Sequence, residues 1–294
     1  MKTHLDCIPC FFRQALAAAR HVGADEKGQK QVLDKIASII PSFPLTLTPP
    51  EMAKKIYHLV AETLRVDGDL YKNIKKRSNE YALSLYDQLE QKIKKSKNRL
   101  LTAVELAIAG NIIDYAANTS LNLDEEIKNI LQIEGETIKK DQKFIFHYDD
   151  FKNVLANSKN ILYLADNAGE IVFDKLLIRE MKKTNKHIKI TYAVKEKPII
   201  NDALIEDAYQ CGLDKVAKVI SSGSDASGTV LSICSQEFLN VFNDADMIIS
   251  KGQGNFEALS DAEKPIFFLF KVKCQIIATT VNGKIGNAIL FYKK

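Results

Sequence analysis

Hydrophobic residues in the first part of the chain recur every three or four positions, the spacing of one buried face of an α-helix. One such run carries Met52, Ile56 and Val60, and two prolines precede it, as is common in the first turn of a helix. A second helical run extends over residues 101–117. The pattern predicts an all-helical domain over residues 1–140.

Beyond this region, short apolar runs alternate with helical spacing, which is typical of parallel strands joined by helices. We expect seven strands, at residues 144–146, 161–165, 188–194, 219–221, 247–249, 266–270 and 288–292. The predicted fold class is α/β: a Rossmann-like, mostly parallel sheet over residues 141–294, with helices on both faces. No internal repeat and no Pro/Gly-rich linker separates the two parts, so we expect them to pack together and share a cleft.

The strand predicted at 161–165 ends in a polar segment that reads Asp166, Asn167, Ala168, Gly169 and Glu170. Ligands of open α/β sheets bind at the carboxyl ends of the strands, so this segment is a candidate site. Carboxylate and carboxamide oxygens suit Mg²⁺ or Mn²⁺, and the free N–H groups of the helix that follows favour phosphate. An ordinary helix cap with a glycine turn uses the same residue types, and this alternative stays open.

Two later strand ends carry further candidates. Asp202 follows one β-α-β step after Asp166, and a right-handed crossover lets the two loops converge on one ion. The strand at 247–249 leads into a third polar segment, which reads Lys251, Gly252, Gln253, Gly254, Asn255, Phe256 and Glu257. Its glycines let the backbone approach a ligand closely, and its lysine offers a charge for phosphate. The spacing matches neither GxGxxG nor GxxxxGK[ST].

Taken together, these motifs resemble the damage-control metal-dependent phosphatases, first catalogued as domain of unknown function 89. The matching motifs are DNAGE at 166–170, NDA at 201–203, KGQGNFE at 251–257, the pair Lys273 and Cys274, and GN followed by Asp at 110, 111 and 114. A CxxC at Cys7 and Cys10 is typical of the short prokaryotic-type subfamily. The resemblance spans nearly the whole chain.

The resemblance implies a phosphoric monoester hydrolase that needs a divalent cation, held by Asp166, Asn167 and Asp202. Mn²⁺ or Mg²⁺ fits these oxygens, and members of the family also work with Co²⁺ or Ni²⁺. The candidate catalytic residues are Asp166, Asp202 and Lys273, the lysine as a phosphate contact. Longer relatives carry Arg and Thr just before that lysine, whereas this chain has Phe270 and Lys271. The candidate substrate-binding residues are Asn111, Asp114, Glu170, Lys251, Gly252, Gln253, Gly254, Asn255 and Glu257.

Two roles stay open for Asp166, attack on phosphorus and ligation of the ion. The ligand role is favoured, because an aspartate nucleophile is usually followed by a second aspartate two residues later, and this position holds Ala168. Asn111 and Asp114 lie on one helix face inside an apolar stretch. They are either a satisfied polar pair between helices or a wall of the active site. Residues 222–228 are either a connecting loop or a segment that closes over the substrate.

Composition indicates an ordinary globular protein, with 294 residues of which 46% are hydrophobic. The net charge of +4 is a small excess and does not form the basic stripe of a nucleic-acid binder. The four lysines within 92–97 lack interleaved aromatic residues and are interpreted as a solvated helix end. No signal peptide and no apolar stretch of roughly 20 residues is present, so we expect a cytoplasmic protein without a membrane partner.

The five cysteines are scattered except for Cys7 and Cys10, which fits a reducing compartment better than a disulfide scaffold. This pair could pack as small hydrophobes, bind metal or carry redox chemistry, and the last requires exposed thiols with depressed pKa values.

The predicted function is a divalent-metal-dependent phosphatase for a small phosphorylated metabolite. Two alternatives stay open: a nucleotide- or S-adenosylmethionine-dependent transferase, for which Glu196 is a poor ribose partner, and a non-catalytic metal- or metabolite-binding module.

Overall fold

The computed structural model describes residues 1–112, 130–131 and 137–294. Twelve α-helices lie in this part of the chain: α1 (Cys7–His21), α2 (Glu26–Ile39), α3 (Pro49–Leu64), α4 (Lys72–Ser84), α5 (Tyr86–Lys95), α6 (Arg99–Ala109), α7 (Tyr148–Asn157), α8 (Glu170–Thr184), α9 (Ile205–Gln210), α10 (Gln236–Asp244), α11 (Gln253–Leu259) and α12 (Gln275–Thr280). Helix α3 begins at the predicted prolines. Glu51 accepts a hydrogen bond from the backbone N–H of Thr48 at 2.8 Å, which caps the first turn.

Seven strands form one sheet: β1 (Lys143–Phe146), β2 (Asn160–Leu164), β3 (Lys189–Val194), β4 (Lys218–Ser221), β5 (Met247–Lys251), β6 (Ile266–Lys271) and β7 (Ala288–Lys293). Their order is β1-β7-β6-β5-β2-β3-β4. Strands β2 to β6 are mutually parallel, whereas β7 runs antiparallel to β6 and β1 parallel to β7. The predicted α/β class and all seven predicted strands are confirmed, with ends that differ by one or two residues.

Successive side chains of the central strands point to opposite faces of the sheet and enter two separate cores. Tyr163 of β2 belongs to the core that α5, α6 and α8 share with one face. Its neighbour Leu162 belongs to the core on the other face, which Phe238 of α10 and Ile277 of α12 also enter. Burial on both faces explains why these strands are continuous apolar runs in the sequence.

A third apolar cluster joins α1, α2 and α3, and Ile199 from the loop after β3 packs into it. The described helices before β1 therefore divide their contacts: α1 to α3 form a cluster of their own, and α5 and α6 cover the sheet. The predicted domain boundary near residue 140 stays a prediction. Among the described helices, none is both long and apolar enough to cross a membrane.

Candidate functional site

Three neighbouring parallel strands, β5, β2 and β3, end at one edge of the sheet and bring the predicted polar loops together. Directly after β2, residues Asn167 and Asp202 form an isolated antiparallel bridge. The backbone N–H of Ala168 donates to the carbonyl of Asn201 at 3.0 Å, and that of Ala203 donates to the carbonyl of Asp166 at 2.9 Å. The two predicted motifs are thus tied to each other through their backbones.

The three predicted metal ligands are almost fully buried, with exposed fractions of 6% for Asp166, 4% for Asn167 and 3% for Asp202. The amide nitrogen of Asn167 donates to Oδ2 of Asp166 at 3.0 Å and to Oε1 of Glu170 at 2.8 Å. Buried polar groups of this kind are stable only when they have partners. The hydrogen bonds fix the orientation of the carboxamide relative to the two carboxylates.

The glycine-rich segment after β5 contacts the carboxylate of Asp166. Gly252 has a φ of +83°, and a methyl group built on it would overlap the Asp166 carboxylate. Both the left-handed backbone and the missing Cβ are therefore needed at this position. The close approach that the sequence predicted for this segment is made to a side chain of the first polar loop.

Replacing Gly252 by alanine is expected to abolish most of the activity, because the new methyl group displaces the Asp166 carboxylate. The backbone strain alone costs about 1–3 kcal/mol of unfolding free energy. The matched control is Gly68→Ala, since Gly68 has a φ of +88° and open space around its Cβ position. Phosphate-release assays and thermal unfolding compare the two variants. If both variants keep the same activity, the contact between Gly252 and Asp166 is not needed for catalysis.

The donor set fits a hard divalent cation. Within the described ranges, no group of three or more His, Cys, Asp or Glu side chains could hold an ion. A cation at this edge therefore depends on the carboxamide of Asn167 together with the carboxylates of Asp166 and Asp202. Two carboxylates and one carboxamide oxygen are ligands that Mg²⁺ and Mn²⁺ accept.

Lys251, a predicted substrate-binding residue, is 1% exposed, and its side chain reaches the first turns of α8. Its ammonium nitrogen lies 2.7 Å from Asp174 and 3.5 Å from Glu170. Burial lowers the pKa of Lys251, but these two carboxylates outweigh it and the net shift is upward. The lysine therefore stays charged and ties the end of β5 to the first turns of α8.

Asp174 is the centre of this buried network. It accepts hydrogen bonds from the hydroxyl groups of Tyr163 at 2.7 Å and Tyr192 at 2.8 Å. Burial raises the pKa of both tyrosines well above the usual value, and the charge of Asp174 raises it further. Both phenols are thus held as neutral donors, which keeps the carboxylate satisfied.

Lys195 is a buried cation at this edge that the sequence interpretation missed. Its ammonium nitrogen lies 3.7 Å from Oδ2 of Asp202 and 3.4 Å from Oδ1 of Asn255. The same Asn255 oxygen accepts hydrogen bonds from the backbone N–H and the hydroxyl of Thr229, at 2.7 and 2.8 Å. A sequence signal did exist, because Lys195 directly follows the last residue of β3 and so occupies a strand end.

The helical part of the chain reaches the site through Asn111, whose amide nitrogen donates to Oε1 of Glu170 at 2.8 Å. Asn111 is 3% exposed and follows directly on α6. Its predicted partner, Asp114, lies outside the described residues. Glu170 accepts from both Asn111 and Asn167, so the two predicted segments meet at one carboxylate.

Lys273, Gln253 and Glu257 form a second polar group beside the glycine-rich segment. Oε1 of Gln253 accepts from the backbone N–H of Lys273 at 2.9 Å, and its amide nitrogen donates to Glu257 at 2.9 Å. Burial raises the pKa of Glu257 to about 7, although the hydrogen bond from Gln253 and the charge of Lys273 act in the opposite direction. The predicted phosphate-contacting lysine is therefore linked to the glycine-rich segment through one glutamine side chain.

The loop at 222–228 packs against this segment, and both alternatives, a connecting loop and a segment that closes over the substrate, stay open. A Cβ on Gly254 would overlap the carbonyl oxygen of Ser227. Asp225 in the loop forms an ion pair at 2.6 Å with Lys54 of α3. Helix α3 thus holds the loop against the glycine-rich segment.

The pKa values of Cys7 and Cys10 are raised, chiefly by burial. The redox alternative required depressed values, so the structure does not support it. Glu196, the residue weighed as a ribose partner for the transferase alternative, is exposed and accepts a hydrogen bond from the hydroxyl of Ser221.

Comparisons with known proteins bear on the family and the fold of the chain. Residues 3–289 match the damage-control phosphatase ARMT1-like domain. A damage-control phosphatase of Pyrococcus horikoshii is 34% identical over 100% of this chain and 99% of its own length. An uncharacterized protein of Methanocaldococcus jannaschii is 36% identical over 99% of this chain and 95% of its own. The crystal structure of a DUF89 family protein from Pyrococcus horikoshii superposes with a TM-score of 0.86 at 32% identity, covering 100% of both chains.

Proposed function

This chain belongs to the damage-control phosphatase family with the ARMT1-like domain, and we propose that it is a phosphatase that uses a divalent cation to hydrolyse a small phosphorylated metabolite. The observation that carries the proposal is the backbone bridge between Asn167 and Asp202. It gathers two carboxylates and a carboxamide at the carboxyl edge of the sheet, where α/β proteins bind their ligands.

In this proposal, Asp166, Asn167 and Asp202 hold the cation through oxygen. When bound, the cation neutralises charge on a phosphoryl oxygen and orients the phosphoryl group. The donor set favours Mn²⁺ or Mg²⁺, and the family resemblance adds Co²⁺ and Ni²⁺. The burial of all three side chains supports this role, because nearby positive charge stabilises buried carboxylates: Lys195 supplies it to Asp202, and a bound cation would supply it to the whole donor set.

Two lysines are proposed to act on the phosphoryl charge from the protein side. Lys195 lies beside Asp202 inside the edge, and Lys273 lies beside the glycine-rich segment. The ammonium group of Lys195, which is buried, interacts more strongly with an anion than it would in water. The substrate-binding role proposed for residues 252–257 follows from the contact of Gly252 with Asp166.

Replacing Lys273 by alanine is expected to lower kcat by about 10²–10³-fold, the effect of removing one preorganised donor. The matched control is Lys271→Ala, which removes a lysine at the end of β6, two residues earlier. Steady-state kinetics on the best substrate compare the two. If Lys273→Ala loses no more activity than Lys271→Ala, Lys273 does not contact the phosphoryl group.

The proposal is tested with metal-stripped protein and a panel of sugar phosphates, nucleotides and phosphopantetheine-like compounds. Each compound is assayed for release of inorganic phosphate with Mg²⁺, Mn²⁺, Co²⁺ and Ni²⁺ in turn. We expect release from at least one compound, dependent on added cation. Cation binding without phosphate release from any compound would identify a binding module. Binding of S-adenosylmethionine, measured by calorimetry, would instead favour the transferase.

A further inference from the structure

Asn79, on helix α4, is a fully buried polar residue that connects the loop after β2 to helix α9. Its Oδ1 accepts a hydrogen bond from the backbone N–H of Gly169 at 2.7 Å. Its amide nitrogen donates to Oδ1 of Asp207 at 2.8 Å and to Oε1 of Gln210 at 3.1 Å. The exposed fraction of Asn79 is 0%.

The two main partners of Asn79 flank the predicted metal ligands on both sides. Gly169 lies two residues after Asn167 and immediately before helix α8. Asp207 lies on α9, which follows Asp202, and its Oδ2 accepts from the backbone N–H of Leu204 at 2.9 Å. One side chain therefore links the loop after β2 to the helix that follows the loop after β3.

The chemistry of the two partners fixes which way the carboxamide of Asn79 faces. A backbone N–H requires an acceptor and a carboxylate requires a donor, and the carboxamide of Asn79 supplies both from one side chain. An aspartate at position 79 would place two carboxylates against each other. An alanine would leave the backbone N–H of Gly169 and Oδ1 of Asp207 without these hydrogen bonds in a buried site.

Lys75, one turn earlier on α4, completes the arrangement. Its ammonium nitrogen lies 2.6 Å from Asp69 and 3.3 Å from Asp207. Lys75 is 2% exposed, so this pairing compensates the buried charge of Asp207 and keeps its carboxylate available as an acceptor for Asn79. Helix α4 thus presents an amide and an ammonium group to the same face of the site.

We propose that Asn79 is a positioning residue that fixes the orientation of the Asp166–Asn167 pair relative to Asp202, and thereby the affinity of the site for its cation. This inference rests on the proposed function. The helical part of the chain then contributes to the site through α4 as well as through Asn111. The backbone bridge between Asn167 and Asp202 holds the two loops together, and a weaker link at Asn79 lets Gly169 shift relative to α9, which misaligns the ligands without changing any of them.

The test measures the dissociation constant of Mn²⁺ for metal-stripped protein by calorimetry, together with thermal unfolding. Asn79→Ala is expected to weaken Mn²⁺ binding at least tenfold, in the range seen when groups that orient metal ligands are removed. Asn79→Ser is a milder variant, too short to span both partners, and covers the case in which the alanine variant does not fold. The control Ala82→Gly lies in the core on the same helix and is expected to lower the melting temperature but to leave the dissociation constant within twofold.

The two readouts separate positioning from bulk stability. Ala82→Gly lowers the melting temperature without touching the link, so a dissociation constant that weakens in Asn79→Ser and not in Ala82→Gly assigns the effect to the link. Folded Asn79→Ser protein with unchanged Mn²⁺ affinity would overturn the inference and leave the proposed function standing. Absence of binding of Mg²⁺, Mn²⁺, Co²⁺ and Ni²⁺ alike by the unmodified protein would overturn the proposed function, and the inference with it.

Discussion

Replacing Lys251 by methionine is expected to lower the free energy of unfolding by about 3–5 kcal/mol, the usual cost of removing one partner of a buried ion pair. Methionine has a similar length and is apolar, so the volume is kept while the charge is lost. Asp174 and Glu170, both 0% exposed, would then lack their cationic partner. Chemical denaturation of both proteins measures the difference.

The control is Lys94→Met, which removes a lysine at 2.6 Å from Glu90 on the surface of α5. An exposed pair of this kind contributes at most about 0.5 kcal/mol. A loss for Lys251→Met as small as that for Lys94→Met would mean that the carboxylates become protonated or rearrange when the lysine is absent. The anchoring role of Lys251 would then be wrong.

Replacing Asp202 by alanine is expected to remove cation binding and to lower kcat/KM by about 10³-fold. A loss of about 10³-fold in rate corresponds to the loss of several kcal/mol of charge stabilisation in the transition state. The substitution also removes a partner of buried Lys195, so some loss of stability accompanies it. Asp202→Asn keeps the shape of the side chain and tests the same ligand with less disturbance.

The matched control is Asp244→Ala, which removes an exposed aspartate at the end of α10. Calorimetry with Mn²⁺ and phosphate-release kinetics are measured on all three variants. If Asp202→Ala folds and keeps full activity, Asp202 is not a ligand and the proposed metal site has to be abandoned.

Much of the architecture can be predicted from the sequence because burial on both faces produces a local signal. Each central strand is an apolar run of four to six residues, and every one of the seven was found within two residues of its ends. The polar segments at 166–170 and 251–257 could also be recognised from local sequence, because each interrupts an apolar run at the carboxyl end of a strand. Parallel topology then brings those ends to one edge, so convergence of Asp166 and Asp202 follows from the order of elements.

The direction in which a polar side chain points cannot be predicted from such local patterns. Lys251 was predicted as a charge for phosphate, and the structure turns its ammonium group toward Asp174 and Glu170. Both positions of the ammonium group are compatible with the sequence, because a lysine at a strand end can reach either side of the loop that follows. Partners far away in the chain decide which one is adopted.

By itself, the sequence determined the α/β class, the seven strands and the loops that carry the candidate ligands. Only the tertiary structure revealed that Asn79 joins one of these loops to helix α9, that Lys195 lies beside Asp202 and that Gly252 touches Asp166. The physical reason is the range of the forces involved. Hydrophobic burial leaves a periodic pattern along the chain, whereas a buried hydrogen bond or ion pair depends on two residues whose separation in sequence leaves no such pattern.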